Sequence, residues 1–211
     1  MTPAVAVGLS VVVGYLLGSI PSGLLIGRWL RGVDIRAYGS GRTGATNAMR
    51  SLGIRGFALT FAADAAKAIA SVLLARAIAG TVVDGTLAGA VAAVAAIVGH
   101  NWPLYIGFRG GRGVACSFGS ILMLYWPGAL LGLVVFGVLL KLTRYVSLGS
   151  IVGTLTGLVA ALVAVAVGAQ PPVLAAFAVA AAAIVIGSHK DNIERLLAGT
   201  ERKIGQRAGP A

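Results

Sequence analysis

Long apolar runs dominate this chain and limit what it can fold into. Of its 211 residues, 58% are hydrophobic and 11% are charged. A soluble domain of this length needs more surface charge to stay dissolved, so we predict an all-α, polytopic membrane protein. A spanning helix takes about 20 mainly apolar residues. Runs of this kind occupy residues 4–27, 57–79, 85–105, 148–168 and 172–188.

The N-terminal run predicts a retained first span rather than a cleaved leader. No Lys or Arg precedes Arg28, and the run is too long for the core of a signal peptide. The single cysteine, Cys116, excludes an internal disulfide. We expect it to be a small packed residue rather than a nucleophile, and no His or Cys spacing predicts a metal site. With no repeat or linker, residues 1–211 form one domain.

Residues 113–141 are too long for one short span and contain Trp126, Pro127 and Gly128 near the middle. This segment is either one kinked helix or a hairpin of two short helices. Basic residues gather on the cytoplasmic side of membrane proteins. A hairpin places 15 of the 17 Lys and Arg residues on one side, in segments 28–55, 106–112, 141–147 and 189–211. We therefore predict seven spans, an outside N-terminus and a cytoplasmic C-terminus.

Five stretches rich in phosphate-binding groups interrupt the apolar sequence. The net charge is +11, but its placement between spans argues against nucleic acid as a partner. If the spans cross a membrane, these stretches converge on one face and form a site for anionic substrates. They are residues 39–47, 107–113, 141–144, 147–150 and 189–195.

The first stretch contains Gly39-x-Gly41-x-x-Gly44, a spacing also found in dinucleotide-binding loops. That interpretation needs a strand before the loop, whereas a basic segment and a span flank this one. Glycines still let a phosphate approach backbone N–H groups. Arg109-Gly-Gly-Arg112-Gly113 repeats the pattern before a helix whose N-terminus favours anions. A flexible loop with topology-setting arginines is the alternative for the first stretch.

Four further residues have either a structural or a functional interpretation. Asp64 and Lys67 lie one turn apart inside a span, where charges must pair or face a polar cavity. They form an ion pair, or Lys67 contacts substrate phosphate or loop backbone. His100 and His189 end two spans and are interfacial residues or parts of a site. Asn192 lies one turn after His189, on the same helical face.

Motifs along almost the whole chain resemble the bacterial membrane glycerol-3-phosphate acyltransferases that use acyl phosphate as donor. The departures are Arg42, where the family usually has Asn, Arg109 and Arg112 for Lys, and Cys116 for Thr. Ala68 and Trp102 stand where the family usually has Gly and Phe. The matching motifs are Gly18-Ser-Ile-Pro-Ser-Gly23, residues 39–47 with Arg50, Asp64-x-x-Lys67, Gly99-His-x-x-Pro103, Gly110-Gly-x-Gly113 and residues 189–205.

The resemblance implies acyl transfer to the 1-hydroxyl of glycerol 3-phosphate at the cytoplasmic face of the bacterial plasma membrane. Acyl phosphate is already activated, so we expect no cofactor, no metal and no covalent acyl-enzyme. A soluble enzyme would supply acyl phosphate, and membrane lipids surround the protein. His189 and Asn192 would act on the acceptor hydroxyl. The expected phosphate- and substrate-binding residues are Ser40, Gly41, Gly44, Thr46, Asn47, Arg50, Lys67, Arg109, Gly110, Gly111, Arg112, Gly113, Ser147, Ser150 and Glu201.

Three other functions remain open from the residues alone. A small anion or phosphate transporter also needs several spans and basic ends, but it predicts polar groups at mid-membrane and on both faces. An acyltransferase using a coenzyme A thioester needs an adenine-nucleotide site, for which no motif is present. Arg42 also fits a paralogue with a different acyl acceptor.

Overall fold

A computed structural model describes residues 1–206 as nine α-helices with short 3-10 turns at Ile35–Ala37 and Leu104–Ile106. No β-strand occurs in these residues, which confirms the all-α prediction. Arg207, part of the predicted cytoplasmic tail, lies outside the described residues. The helices are α1 (Pro3–Gly18), α2 (Ser22–Arg31), α3 (Ala45–Ala79), α4 (Gly85–Asn101), α5 (Val114–Leu124), α6 (Trp126–Thr143), α7 (Val146–Ala166), α8 (Pro172–Gly187) and α9 (Lys190–Leu197).

Local chemistry sets where several helices begin. Pro3, Pro127 and Pro172 lie in the first turns of α1, α6 and α8. Proline lacks a backbone N–H, and in a first turn this costs no hydrogen bond within the helix. Asp84 caps α4 and accepts from the backbone N–H groups of Thr86 and Leu87 at 2.6 and 2.9 Å. These residues therefore fix helix starts that the apolar composition alone leaves undefined.

Helix α3 is longer than a bilayer requires and is broken near its start. Its 35 residues extend about 52 Å, against about 30 Å for a hydrocarbon core. Gly53 has φ 75° and ψ −164°, which separates a short first segment from the apolar remainder. The sequence predicted the span 57–79 but not the preceding helical segment, which lies within the basic region 28–55. This segment carries Asn47 and Arg50 toward the site described below.

Five helical stretches are long and apolar enough to cross a membrane: α1 with α2, α3, α4, α6 and α7. Helices α8 and α9 make a sixth if this pair, bent by 60°, counts as one span. Helix α5 has 11 residues, about 16 Å, and is about half as long as the hydrocarbon core. Seven helical segments therefore match the seven predicted spans in position, while the number that crosses the membrane stays a prediction.

Residues 113–141 form two helices rather than one. The break lies at Tyr125, one residue before the predicted Trp-Pro-Gly turn, because Pro127 fits the first turn of α6. Gly132 packs against Gly153, and Gly128 lies near Gly157, so α6 and α7 are antiparallel. Gly157 is nine residues before the end of α7 and faces Gly128, which is three residues after the break. The break therefore lies roughly 9 Å short of that end.

Small residues let the helices approach closely. A Cβ on Gly14 or Gly18 would collide with the backbone of Ala92 or Ala96, respectively, so α1 packs directly on α4. The same pairs show that α1 and α4 are parallel. Arg76 lies beside Gly89 and Asp64 beside His100, so α3 runs opposite to α4. This alternation agrees with the order of the predicted spans.

Candidate active site

A cavity of about 450 Å³ opens where several helix ends meet at one end of the bundle. It lies between the N-termini of α3, α5 and α7, the C-terminus of α4 and the turn from α8 to α9. Stretches 39–47, 107–113, 147–150 and 189–195 all contribute residues, so these distant parts of the chain converge as the sequence predicted. Stretch 141–144 does not line the cavity, and its Arg144 hydrogen-bonds with the backbone of Ile204 at 2.8 and 3.0 Å.

Asn47 organises the first loop of the site. Its side-chain Nδ2 donates to the carbonyls of Ile35 and Arg42 at 2.8 Å each, and its Oδ1 accepts from the backbone N–H of Ser40 at 3.0 Å. The loop then enters α3 at Gly44, where no side chain caps the helix. The first free N–H groups of α3 are therefore left for an anion. Thr46 and Arg50 line the cavity beside them.

The second loop is held by the C-terminus of α4. The N–H groups of Gly110 and Gly111 donate to the carbonyls of Asn101 and His100 at 3.1 and 3.0 Å. Gly113 has φ 81° and begins α5 without a side-chain cap, which leaves a second helix N-terminus at the cavity. The two uncapped N-termini bring partial positive charge to the same space.

Arg112 carries a fixed cation into this space. Its Nε donates to the carbonyl of Ser188 at 3.1 Å, and its Nη2 pairs with Asp191 at 2.6 Å. Asp191 also pairs with Arg195 at 3.2 Å. Partial burial favours the neutral acid, but Arg112 and Arg195 outweigh it and hold the pKa of Asp191 below its ordinary value. The carboxylate therefore stays charged and orients Arg112.

His189 follows the end of α8 and is buried against it. Its Nδ1 lies 2.8 Å from the carbonyl of Val185, so Nδ1 carries the hydrogen and Nε2 is left as an acceptor. Burial is the main cause that lowers the pKa of His189 to about 4, and the nearby Arg112 adds to this effect. The imidazole is thus neutral near pH 7, and its lowered pKa makes it a weaker base than an exposed histidine.

Asn192, one turn after His189, lines the cavity and carries a buried acceptor without a partner in residues 1–206. Its Nδ2 donates to Glu201 Oε1 at 2.7 Å, and because a carboxylate only accepts, the amide orientation is determined. The opposite atom, Oδ1, is buried and has no hydrogen-bond partner among the described residues. A substrate hydroxyl is the kind of donor that this oxygen lacks.

Glu201 is surrounded by donors from the protein. It accepts from Ser147 at 2.8 Å and from Arg195 at 2.7 Å, besides Asn192. Burial raises the pKa of Glu201, but these hydrogen bonds outweigh it and the pKa lies below its ordinary value. As a charged acceptor, Glu201 orders the cavity rather than offering a donor to phosphate. It holds Ser147 and Asn192 in place, and its predicted contact with substrate stays a prediction.

Asp64, Lys67 and His100 form a buried polar cluster. Lys67 Nζ lies 2.9 Å from Asp64 Oδ1 and donates to the carbonyl of Ile20 at 2.6 Å. Lys67 therefore makes both the ion pair and a contact with loop backbone, and it does not line the cavity. His100 Nδ1 is 3.4 Å from Asp64, and both of these residues do line it. Cys116 is buried and donates its S–H to the carbonyl of Asp64 at 3.3 Å.

The structure brings thirteen of the predicted site residues to the cavity wall. Four others, Gly41, Lys67, Arg109 and Gly110, lie outside it, and Arg109 is exposed. Those on the wall are Ser40, Gly44, Thr46, Asn47, Arg50, Gly111, Arg112, Gly113, Ser147, Ser150, His189, Asn192 and Glu201.

Sequence reasoning left some lining residues out of the site. Asp64 was recognisable as a charge within an apolar run, and Asp191 and Arg195 as an i, i+4 pair. The polar residues added by the structure are Arg42, Asp64, His100, Ser117, Thr154, Asp191, Arg195 and Arg202.

The cavity continues away from the charged end along an apolar wall. Helices α3, α5, α6, α7 and α8 all contribute to it. Helices α6 and α7 pack closely at this wall, since a side chain on Gly132 or Gly153 would collide with the facing backbone. The wall includes Phe57, Phe61, Phe118, Ile121, Leu133, Phe136, Leu158 and Phe177.

A bundle of apolar helices with a cavity lined by arginines at one end and by apolar side chains beyond it defines a multi-pass membrane protein with a site of mixed polarity. The family model described as glycerol-3-phosphate acyltransferase matches residues 8–199. The chain belongs to the glycerol-3-phosphate acyltransferase family, as the sequence motifs predicted.

Relatives and solved structures agree with this assignment. A glycerol-3-phosphate acyltransferase of Synechococcus sp. (strain JA-2-3B'a(2-13)) is 46% identical over 94% of this chain and 95% of its own. The enzyme of that name from Clostridioides difficile (strain 630) is 43% identical over 93% and 94%.

The fold is also similar to two crystal structures of PlsY, an integral membrane glycerol 3-phosphate acyltransferase. The glycerol 3-phosphate form has a TM-score of 0.85 and 34% identity, over 94% of this chain and 96% of that one. The lysophosphatidic acid form has a TM-score of 0.82 and 35% identity, over 94% and 95%.

Proposed function

We propose that this protein transfers a fatty acyl group from acyl phosphate to the 1-hydroxyl of glycerol 3-phosphate. The products are 1-acylglycerol 3-phosphate (lysophosphatidic acid) and inorganic phosphate, in the first step of phospholipid synthesis. One observation carries the proposal: a single cavity joins two uncapped helix N-termini and several arginines to an apolar wall. The related structures, solved with glycerol 3-phosphate and with lysophosphatidic acid, support it.

Each end of the cavity has a role in this reaction. Phosphates of the two substrates bind Ser40, Thr46, Arg50 and Arg112 and the free N–H groups of α3 and α5. The acyl chain lies along the apolar wall between the helices. Binding both substrates in one cavity holds the hydroxyl near the carbonyl carbon, which replaces a bimolecular encounter by an oriented attack.

The bond changes need one proton acceptor. The hydroxyl oxygen attacks the carbonyl carbon, the bond from that carbon to the phosphate oxygen breaks, and phosphate leaves with the electron pair. Asn192 Oδ1 accepts the hydrogen bond of the hydroxyl and orients it. The proton passes either to His189 Nε2 or to a phosphate oxygen of the substrates. The neutral imidazole, whose Nδ1 donates to Val185, supports the first route.

The carbonyl oxygen gains negative charge in the transition state. Arg112 and the N-terminus of α5 are fixed in place before the reaction, so they stabilise this charge, and that of the departing phosphate, without rearranging. Acyl phosphate already carries a good leaving group, so the proposed reaction needs no metal, no cofactor and no acyl-enzyme.

We place the cavity at the cytoplasmic face of the bacterial plasma membrane, in a seven-span protein with its N-terminus outside. The position of the basic residues supports this orientation. Helix α5 then crosses only part of the bilayer, with α6 returning to the same face. A soluble enzyme that makes acyl phosphate reaches the cavity from that side.

The test offers three donors separately to the purified protein with labelled glycerol 3-phosphate. Acyl phosphate is expected to give lysophosphatidic acid, and acyl coenzyme A and acyl carrier protein to give little or none. Faster transfer from either thioester donor would overturn the choice of donor. Absence of product with every donor, together with glycerol 3-phosphate uptake by vesicles containing the protein, would favour the transporter.

A further inference from the structure

His100 is buried between a carboxylate and a glycine loop. One edge of its ring faces Asp64, with Nδ1 at 3.4 Å from Oδ1. The opposite edge lies on Gly111: a Cβ built there would collide with Nε2 and come within 2.8 Å of Cε1 and 2.9 Å of Cδ2. The imidazole therefore fills the space that a side chain at position 111 would need.

Asp64 contacts this ring, and Lys67 in turn fixes Asp64. Asp64 is 1% exposed, and Lys67 ties it to the junction between α1 and α2 through the carbonyl of Ile20. A buried charged group of this kind is costly unless its partners fix it in place. Since the pair lies within the helices, the position of His100 is set by the bundle rather than by the loop.

Gly111 immediately precedes Arg112, the cation held by Ser188 and Asp191. The N–H of Gly111 donates to the carbonyl of His100, so the backbone and the ring of His100 both contact Gly111. Any shift of the ring thus moves the backbone that carries Arg112 and begins α5.

We infer that His100 is a positioning residue: oriented by Asp64, its ring supports Gly111 and sets where Arg112 meets the substrate phosphate. This role rests on the proposed function of the cavity. The neighbouring ring accounts for the glycine at position 111, because it leaves no room for a side chain there. Backbone conformation does not account for it, since the φ angle of Gly111 is not in the left-handed region.

A smaller side chain at position 100 should then make room for a larger one at position 111. Gly111→Ala is expected to raise the KM for glycerol 3-phosphate by at least about 10-fold, with a smaller effect on kcat, because the methyl group displaces His100. In a His100→Ala background the methyl group has room. The double variant should therefore have nearly the KM of His100→Ala alone, a non-additive result typical of residues in contact.

His100→Asn is a second test variant, for use if His100→Ala fails to fold. Its side-chain amide retains a donor for Asp64 in place of Nδ1 but lacks the outer edge of the ring, so it should also tolerate Gly111→Ala. Gly137→Ala is the control, because nothing lies within 4 Å of a Cβ on Gly137 and its KM should equal that of the wild type.

Thermal unfolding of the same proteins in detergent gives a readout that needs no substrate. Gly111→Ala should lower the Tm of the wild type and have little effect on the Tm of His100→Asn. If Gly111→Ala multiplies the KM and lowers the Tm equally in all three backgrounds, the positioning role is wrong. Coupling in Tm with no activity toward glycerol 3-phosphate in the wild type would instead overturn the proposed function.

Discussion

Arg112 shows at the residue scale how the cavity holds a cation ready for an anionic ligand. Two of its nitrogens, Nε and Nη2, donate to Ser188 and Asp191, while Nη1 makes no hydrogen bond with residues 1–206. One side of the guanidinium thus fixes its orientation and the other remains for a substrate oxygen. Asn192 follows the same pattern, with Nδ2 bound by Glu201 and Oδ1 left as an acceptor.

Arg50→Ala and Arg112→Ala should each remove a charge-assisted contact with phosphate. Such a contact contributes about 1.5–3 kcal/mol, so kcat/KM should fall roughly 10- to 150-fold. Steady-state kinetics with each substrate varied in turn measures the effect. Arg109→Ala is the matched control, because Arg109 is exposed and outside the cavity, and it should change kcat/KM little. Full kcat/KM in both test variants would show that these arginines bind no substrate.

His189→Ala should lower kcat by about 10²-fold, which is typical for loss of a general base. His189→Asn keeps a hydrogen-bonding group but no basic nitrogen, so comparing the two variants separates orientation from proton transfer. Recovery in His189→Asn would assign the proton to a substrate phosphate. Equal losses would assign it to the imidazole. A kcat close to the wild-type value in His189→Ala, with normal expression, would reduce His189 to an interfacial residue.

Helix packing at the element scale decides how much room the acyl chain has. Helices α6 and α7 meet through Gly132 and Gly153, whose backbones lie so close that a Cβ on either falls 2.6–2.7 Å from the facing carbonyl oxygen. Both glycines also line the cavity. The close approach of these helices and the width of the apolar wall therefore depend on the same residues.

Gly132→Leu should destabilise the protein and narrow the cavity together. Overpacking of this kind costs about 1–3 kcal/mol, which corresponds to a Tm lower by roughly 2–12 °C for a chain of this size. Activity with long-chain acyl phosphate should fall more than activity with a short chain. Gly137→Leu lies on the same helix in open space and should change neither property. Equal Tm values for the two variants would contradict the packing described for α6 and α7.

Sequence patterns predict the elements better than their contacts. Hydropathy and the Trp126-Pro127-Gly128 cluster indicated every apolar helix and the break between α5 and α6, because these signals are local. They did not show that the break lies short of the end of α7, which depends on how Gly132 faces Gly153. They left a backbone contact of Lys67 open but did not indicate Ile20 as its partner, since that carbonyl is available only because α1 and α2 are separated by a break.

The sequence predicts which stretches form the site but only some of the contacts between them. The stretches that converge are rich in Gly and Arg, so the sequence revealed them without the fold. The pairing of His100 with Gly111 joins the end of one helix to a later loop, and no spacing in the sequence indicates it. The sequence also did not indicate the three protein donors that surround Glu201.

The whole molecule has its charged cavity at one end of the bundle and apolar surface along its length. This asymmetry agrees with the count of basic residues and favours one orientation in the membrane. Single cysteines at Gly107 and Gly168 in a Cys116→Ser background test it with a membrane-impermeant thiol reagent. Position 107 should react only from the cytoplasmic side and position 168 only from outside. The reverse pattern would contradict the orientation, and loss of activity in Cys116→Ser itself would contradict a packing role for that thiol.

Acyl transfer between two phosphate-bearing substrates in one cavity is the central claim of this account. The most direct measurement incubates the purified protein in detergent, where no compartment exists, with acyl phosphate and labelled glycerol 3-phosphate. We predict lysophosphatidic acid and inorganic phosphate in a 1:1 ratio, with the rates of formation of both reduced by the same factor in Arg112→Ala. Phosphate release without lysophosphatidic acid, or no product from protein that remains folded, would contradict it.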